Sequence, residues 1–147
     1  MDTFNHGKPI TILLVEDNPG DVRLVKEVFK EGKVSNSLIV AKDGMEALSI
    51  LKDPLRDPPD MILLDLNLPL KKGLEVLEEV KRDPRIKRIP VVILTTSSAE
   101  EDICKSYDLH ASAFLTKPVE LNEFISMVQR LENFWLSVVK YPPKEKP

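Results

Sequence analysis

The sequence predicts an α/β fold: a doubly wound, five-stranded parallel sheet in a single domain. Three observations lead there. Short apolar runs recur five times, and each is followed by a stretch whose apolar residues keep helical spacing. The runs are nearly continuous rather than alternating, as befits strands buried on both faces. A chain of 147 residues, 42% hydrophobic and 31% charged, has the size and composition of one globular domain of roughly 100–200 residues.

The first strand is Ile10-Thr11-Ile12-Leu13-Leu14-Val15, ending in Glu16-Asp17. After Asn18-Pro19-Gly20, the residues Val22, Val25, Val28 and Phe29 mark one face of a helix that Gly32 closes. Ser37 to Ala41 is a second, weaker strand. Asp43-Gly44 opens a helix carrying Ala47, Leu48 and Leu51, which the stretch from Pro54 to Pro59 stops. Met61-Ile62-Leu63-Leu64 is the third strand, ending at Asp65, and Leu74, Leu77 and Val80 face a helix that ends before Pro84. Pro90 to Leu94 is the fourth strand, ending at Thr95-Thr96-Ser97. A polar helix from about Ser98 to Leu109 has Ile103 and Tyr107 as its apolar anchors. Ala111 to Leu115 is a short fifth strand, followed by Thr116-Lys117-Pro118. The final helix carries Leu121, Phe124, Ile125, Val128, Leu131, Trp135 and Val138. Strands one, three and four are the most uniformly apolar and are expected at the centre.

Composition excludes several classes of function. With 21 Lys+Arg against 24 Asp+Glu the formal charge is −3, which gives no electrostatic basis for sequence-independent nucleic-acid binding. The single cysteine, Cys104, rules out an intrachain disulfide and a cysteine-rich zinc site and fits a reducing cytoplasm. No apolar stretch approaches the ~20 residues of a membrane helix, and Met1 to Pro9 lacks the pattern of a signal peptide. The expectation is a cytoplasmic protein with no membrane or nucleic-acid partner. Tyr141-Pro142-Pro143-Lys144-Glu145-Lys146-Pro147 reads as a short extended tail.

Ligands in parallel sheets bind at the carboxyl ends of strands, where strand order reverses. Glu16-Asp17, Asp65, Thr95 and Lys117 all stand there. Each alone has an ordinary structural explanation, such as helix capping by Glu16-Asp17. Together they form a chemical set. Carboxylates crowded together repel unless a cation joins them, and an all-oxygen set suits Mg²⁺. A carboxylate beside Mg²⁺ can act as nucleophile toward phosphorus, while the metal and Lys117 neutralise the phosphoryl oxygens and Thr95 donates its hydroxyl. The chain has no G-x-x-x-x-G-K-[ST] loop, so the phosphate must come from another molecule.

The stretches Ile12-Leu13-Leu14-Val15-Glu16-Asp17-Asn18, Leu63-Leu64-Asp65-Leu66-Asn67-Leu68-Pro69, Pro90-Val91-Val92-Ile93-Leu94-Thr95 and Phe114-Leu115-Thr116-Lys117-Pro118 resemble the receiver domain of two-component response regulators. The resemblance implies a flavodoxin-like sheet with strand order 2-1-3-4-5. The receiver domain is expected over 8–139, with short tails at 1–7 and 140–147 and no output domain. Carried over by position, the resemblance makes Asp65 the phosphoacceptor. Glu16, Asp17, Asp65 and the Asn67 backbone carbonyl would hold Mg²⁺, Lys117 would contact the phosphoryl group, and Thr95 with Phe114 would form the switch pair. It also implies a cis Lys117-Pro118 bond, and that the residues at Asn67 and Ser97 influence hydrolysis of the aspartyl phosphate.

A narrower likeness runs through Asn18-Pro19-Gly20-Asp21-Val22-Arg23, Thr95-Thr96-Ser97, Asp102-Ile103, Ser106-Tyr107 and Phe134-Trp135-Leu136, which are similar to stand-alone regulators paired with cyanobacterial phytochrome kinases. Two positions depart from the common receiver pattern: Lys72-Gly73 in place of Asp-Gly, and His110 where many receivers have Gly. The latter requires His110 to adopt positive φ, which His tolerates better than most residues.

The expected function is that of a response regulator rather than an enzyme acting on other substrates: it takes phosphate from a histidine kinase and signals to a downstream protein through phosphorylation-dependent contacts. Relay to a histidine phosphotransfer protein, or a receiver-like module that is never phosphorylated, are the alternatives. A haloacid-dehalogenase-like phosphatase would need a second Asp two residues after the nucleophile, where this chain has Asn67, and a flavodoxin-type electron carrier would need a Ser/Thr-rich loop after the first strand. Core packing accounts for Leu121, Phe124, Ile125, Val128 and Leu131. Met127, Phe134 and Leu136 lie off that stripe, and with Trp135 they lead to the expectation of a homodimer through the final helix.

Overall fold

The computed structural model describes residues 9–32 and 34–143. In chain order the elements are β1 (Ile10–Val15), α1 (Pro19–Glu31), β2 (Asn36–Ala41), α2 (Gly44–Leu51), β3 (Met61–Leu64), α3 (Gly73–Arg82), β4 (Val91–Thr95), α4 (Glu100–Asp108), β5 (Ala113–Thr116) and α5 (Leu121–Asn133), the last continued by a π-helical turn over Phe134–Val138. All strand pairs are parallel, as the apolar strands predict, and the order is β2-β1-β3-β4-β5, as the resemblance implies. The proposed domain limit at residue 8 and the tail assignments for 1–7 and 144–147 lie outside the described residues.

The alternation of side chains divides the sheet between two cores. Leu13, Val15, Ile62, Leu64 and Ile93 face α2 and α3, meeting Ala47, Leu51, Val76, Leu77 and Val80. Ile12, Leu14, Met61, Leu63, Val92 and Leu94 face α1 and α5, meeting Val25, Phe29, Phe124, Val128 and Leu131. β3 and β4 are buried at every position, whereas the edge strands β2 and β5 are mostly half-buried. The most apolar strands are central because only central strands are covered on both faces and both edges.

Local chemistry sets the helix starts. The Asn18 side chain accepts the Asp21 N–H at 3.0 Å and Pro19 stands in the first turn of α1, while Asp43 caps α2 at the Glu46 N–H, 2.7 Å. The Lys72 position of α3 has no side-chain cap; instead Glu75 Oε1 accepts the Lys72 N–H at 3.1 Å. α4 closes with His110 at φ 70°, and the Ala111 N–H reaches back to the Ser106 carbonyl at 2.9 Å. This is a left-handed C-terminal cap, and His occupies it without glycine. Leu70 also has positive φ, 67°, and the Lys71 N–H spans it to the Pro69 carbonyl at 2.8 Å, so the β3–α3 loop holds a tight three-residue turn.

Several expected positions differ. Tyr107 is 49% exposed, and Ser106 is the buried residue of α4. At about 100° per residue, Asp102, Ser106 and Leu109 form the inward stripe and Tyr107 falls well round from it. Leu121 is exposed, because it is the first residue of α5 and lies beyond the end of the core. Leu136, which α-helical spacing places off the core stripe, is buried: the Val139 N–H reaches the Phe134 carbonyl five residues back, and the wider turn brings Leu136 inward. Tyr141, read as tail, packs half-buried, with its hydroxyl donating to the Trp135 carbonyl at 2.7 Å and its ring edge-on to Trp135.

Candidate phosphoacceptor site

Glu16, Asp65 and Lys117 are held by the first hydrogen bonds beyond the ends of their strands. The Glu16 N–H donates to Ala41 O at 3.0 Å, the Asp65 N–H to Val15 O at 3.0 Å, and the Lys117 N–H to Thr95 O at 2.6 Å. The ladders thus carry the three side chains to one edge of the sheet. Glu16, Asp65 and Lys117 are 3%, 7% and 8% exposed, while Asp17 is exposed at the mouth.

Carboxylate oxygens of Glu16, Asp17 and Asp65 lie within 4.8 Å of one another. The Lys117 ammonium donates to Glu16 Oε1 at 2.5 Å, Asp21 Oδ2 at 2.9 Å and Asp65 Oδ2 at 3.4 Å. Glu16 Oε2 accepts the Asn18 N–H at 3.2 Å, and Asp65 Oδ1 accepts the Asn67 N–H at 3.2 Å. Burial pushes the Glu16 carboxyl up to about 7, against the pull of Lys117 and with the added repulsion of Asp65. Burial acts to lower the Lys117 ammonium, but its bonds to Glu16 and Asp21 and the charges of Glu16 and Asp65 hold it above the usual lysine range. A hard, oxygen-only set with excess negative charge is the donor chemistry that a divalent cation fits.

Thr95 is fully buried, and its hydroxyl accepts the Ser97 N–H at 3.4 Å, so it is engaged within the β4–α4 loop. Phe114 pairs with Ile93 in the sheet and packs half-buried against the α2–α3 core. Strand alternation puts Ile93 and Thr95 on one face, so Thr95 and Phe114 share that face. Asn67 is exposed beside Asp65. The expectation of a cis Lys117-Pro118 bond is not met: among the described residues no peptide bond is cis. The trans form is the intrinsically favoured one, and the ammonium reaches Glu16, Asp21 and Asp65.

Two contacts bring in residues beyond the expected site, Asp21 and Asp102. Asp21, one turn into α1, binds Lys117; an acid three residues after the Asn18 cap, right behind the end of β1, is the sequence signal that marks it. Ser97 Oγ donates to Asp102 Oδ2 at 2.6 Å and ties the β4–α4 loop to the first turn of α4.

The pattern of the response regulator receiver domain matches residues 12–129. The chain belongs to that family. Among its relatives, response regulator Rcp1 of Synechocystis sp. is 49% identical over 138 residues, covering 91% of this chain and 94% of that one. A probable methanogenesis regulatory protein, FilR2 of Methanothrix harundinacea, is 35% identical over 144 residues, covering 96% and 93%. Among solved structures, the Mn(2+)-bound form of Rcp1 superposes with a TM-score of 0.90 at 47% identity, over 92% of this receiver and all (100%) of that chain. The phosphorylated cyanobacterial phytochrome response regulator RcpA gives 0.88 at 45%, over 92% and 99%. The receiver thus resembles regulators of the phytochrome-partner type. Among the described residues no helix is long and apolar enough to cross a membrane.

Proposed function

We propose that this receiver takes a phosphoryl group from a histidine kinase onto Asp65 and signals through contacts that the phosphorylated form makes with a downstream protein. The observation that carries the reading is the Asp65 carboxylate itself, 3.4 Å from the Lys117 ammonium and grouped with Glu16 and Asp17. The phosphorylated state of the relative RcpA and the Mn(2+)-bound state of Rcp1 support it.

Glu16, Asp17, Asp65 and the Asn67 backbone carbonyl are the residues that would hold Mg²⁺. The bound ion supplies the positive charge that lets three carboxylates and a phosphoryl group share one pocket. Asp65 attacks phosphorus with a carboxylate oxygen; the bond from phosphorus to the donor breaks, and its electron pair leaves with the donor. Lys117 stabilises charge on the phosphoryl oxygens. Thr95 releases the Ser97 N–H and turns its hydroxyl to the phosphoryl group, and Phe114 moves inward on the face they share. The receiver acts on itself alone and turns over no other substrate. A cytoplasmic setting fits a kinase partner of this kind.

The same reading extends to assembly. Phe134 is 52% exposed and stands edge-on to Trp135, with ring centroids 6.1 Å apart, and Val138 beyond it is exposed. These apolar groups at the end of the final helix fit a homodimer that phosphorylation tightens.

The test is labelling with acetyl phosphate in Mg²⁺. Wild type should gain one acid-stable, base-labile phosphoryl group; Asp65→Asn, or wild type with chelator, should gain none. Labelling of Asp65→Asn to the wild-type level would overturn the assignment.

A further inference from the structure

Lys117 has three N–H bonds, and three carboxylates take them. Two of the acceptors, Glu16 and Asp65, belong to the group of carboxylates that would surround a cation. The third, Asp21, does not. It sits in the first turn of α1, its own N–H held by the Asn18 cap at 3.0 Å, and its Oδ2 is 2.9 Å from the ammonium. The contact joins residues 96 positions apart, from α1 to the loop after β5.

The three contacts respond differently when the pocket fills. A lysine ammonium is a point charge on a flexible four-carbon stem, so its place depends on its partners. A cation drawn to Glu16 and Asp65 competes for the charge that attracts Lys117. Once Asp65 carries a phosphoryl group as a mixed anhydride, one of its oxygens is bonded to phosphorus. Asp21 lies outside the group of carboxylates that would surround a cation and is not the residue that bonds to phosphorus, so neither event takes its carboxylate from Lys117. Its side chain is about a quarter exposed, yet its backbone is fixed by the cap and by Pro19. The α1 turn therefore offers Lys117 an acceptor that belongs to a different element from the carboxylates that would bind the cation.

We propose that Asp21 is a positioning residue for phosphoryl transfer: it holds the Lys117 ammonium beside Asp65 independently of the metal. This inference rests on the reading of Asp65 as phosphoacceptor. Asp21 touches neither the phosphoryl group nor the cation; it acts through Lys117.

The experiment compares wild type, Asp21→Asn and Asp21→Glu. It measures the rate of acetyl phosphate labelling at saturating Mg²⁺ and donor, the Mg²⁺ affinity by calorimetry, and the ¹⁵N–¹H signal of the Lys117 side chain. Asp21→Asn should label about tenfold to a hundredfold more slowly, the scale of a misplaced reacting group. Its Mg²⁺ affinity should stay within about threefold, since the lost charge lies outside the ligand set. Asp21→Glu should recover much of the rate, and the Lys117 signal should shift in Asp21→Asn and return toward its wild-type position in Asp21→Glu. Labelling of Asp21→Asn at the wild-type rate or faster overturns the proposal. So does a slow Asp21→Asn whose Mg²⁺ affinity falls in step with its rate, which would make Asp21 part of metal binding. Wild type that takes no label at all defeats the Asp65 reading, and this inference with it; a labelled wild type beside an unaffected variant defeats this inference alone.

Discussion

Lys117 and Glu16 meet at 2.5 Å across 101 residues of sequence, both almost completely buried. The contact closes the end of β1 onto the loop after β5. A buried carboxylate without its cation would have to stay unpaired or take up a proton.

That relationship predicts the behaviour of Lys117→Ala. Removing the ammonium should destabilise the metal-free fold by about 3 kcal/mol at pH 8, the usual scale for one partner of a buried pair. The loss should shrink toward pH 5. Without Lys117 the folded-state pKa of Glu16 rises further above its unfolded value. Stability is then present at low pH, where Glu16 is protonated in both states, and falls as pH rises through the folded value. Urea denaturation at the two pH values measures the difference.

The raised carboxyl of Glu16 also predicts how metal binding responds to pH. In the metal-free protein its pKa stands near 7, against an ordinary value of 4.5, because burial penalises the charged form. The Glu16 contribution to metal-free stability is therefore fully present below pH 4.5 and lost as pH rises through about 7. A cation needs the ionised carboxylate, so Mg²⁺ affinity should rise about tenfold from pH 6 to pH 8, with proton release at the lower pH. Calorimetry in buffers of different ionisation enthalpy reads both. Glu16→Gln should bind more weakly and lose most of this pH dependence.

Gly73 predicts a packing effect on the site. A Cβ at this position would lie 2.3 Å from the Asp65 carbonyl oxygen and 2.6 Å from Leu66 Cα, so only glycine lets α3 start this close to the end of β3. Gly73→Ala should cost about 1–3 kcal/mol, as overpacking does, and displace Asp65 from its neighbours. Thermal unfolding and the amide shifts of Asp65 and Asn67 are the checks. An unchanged melting temperature would show that the loop yields freely.

The exposed apolar end of the final helix predicts self-association. Sedimentation of wild type should show a dimer that strengthens with a phosphoryl mimic, and Phe134→Ala/Trp135→Ala should weaken it. Wild type that stays monomeric at high concentration in both states would exclude the interface.

Much of this was legible in the sequence for physical reasons. β1, β3 and β4 announce themselves because a strand covered on both faces has no room for polar residues, and the site residues follow because they break that apolar pattern at its end. What escaped depends on geometry finer than residue type. The trans bond before Pro118 and the reach of Lys117 to Asp21 are set by backbone and side-chain torsions, not by spacing. Leu136 and Tyr107 depart from residue type and simple spacing because a π turn carries Leu136 inward and Tyr107 lies out of phase with the inward stripe of α4. Tyr141 followed a run of tail-like neighbours, and only its fit against Trp135 and Met61 shows that it packs.

The most direct test of the central claim is to find where the phosphoryl group goes. Wild-type protein is treated with acetyl phosphate and Mg²⁺, reduced with borohydride, digested and sequenced by mass spectrometry. An aspartyl phosphate is converted to homoserine, and the account predicts homoserine at position 65 and nowhere else. Homoserine at Asp17 or another carboxylate, or a stable label on a hydroxyl or histidine with Asp65 unchanged, would contradict it.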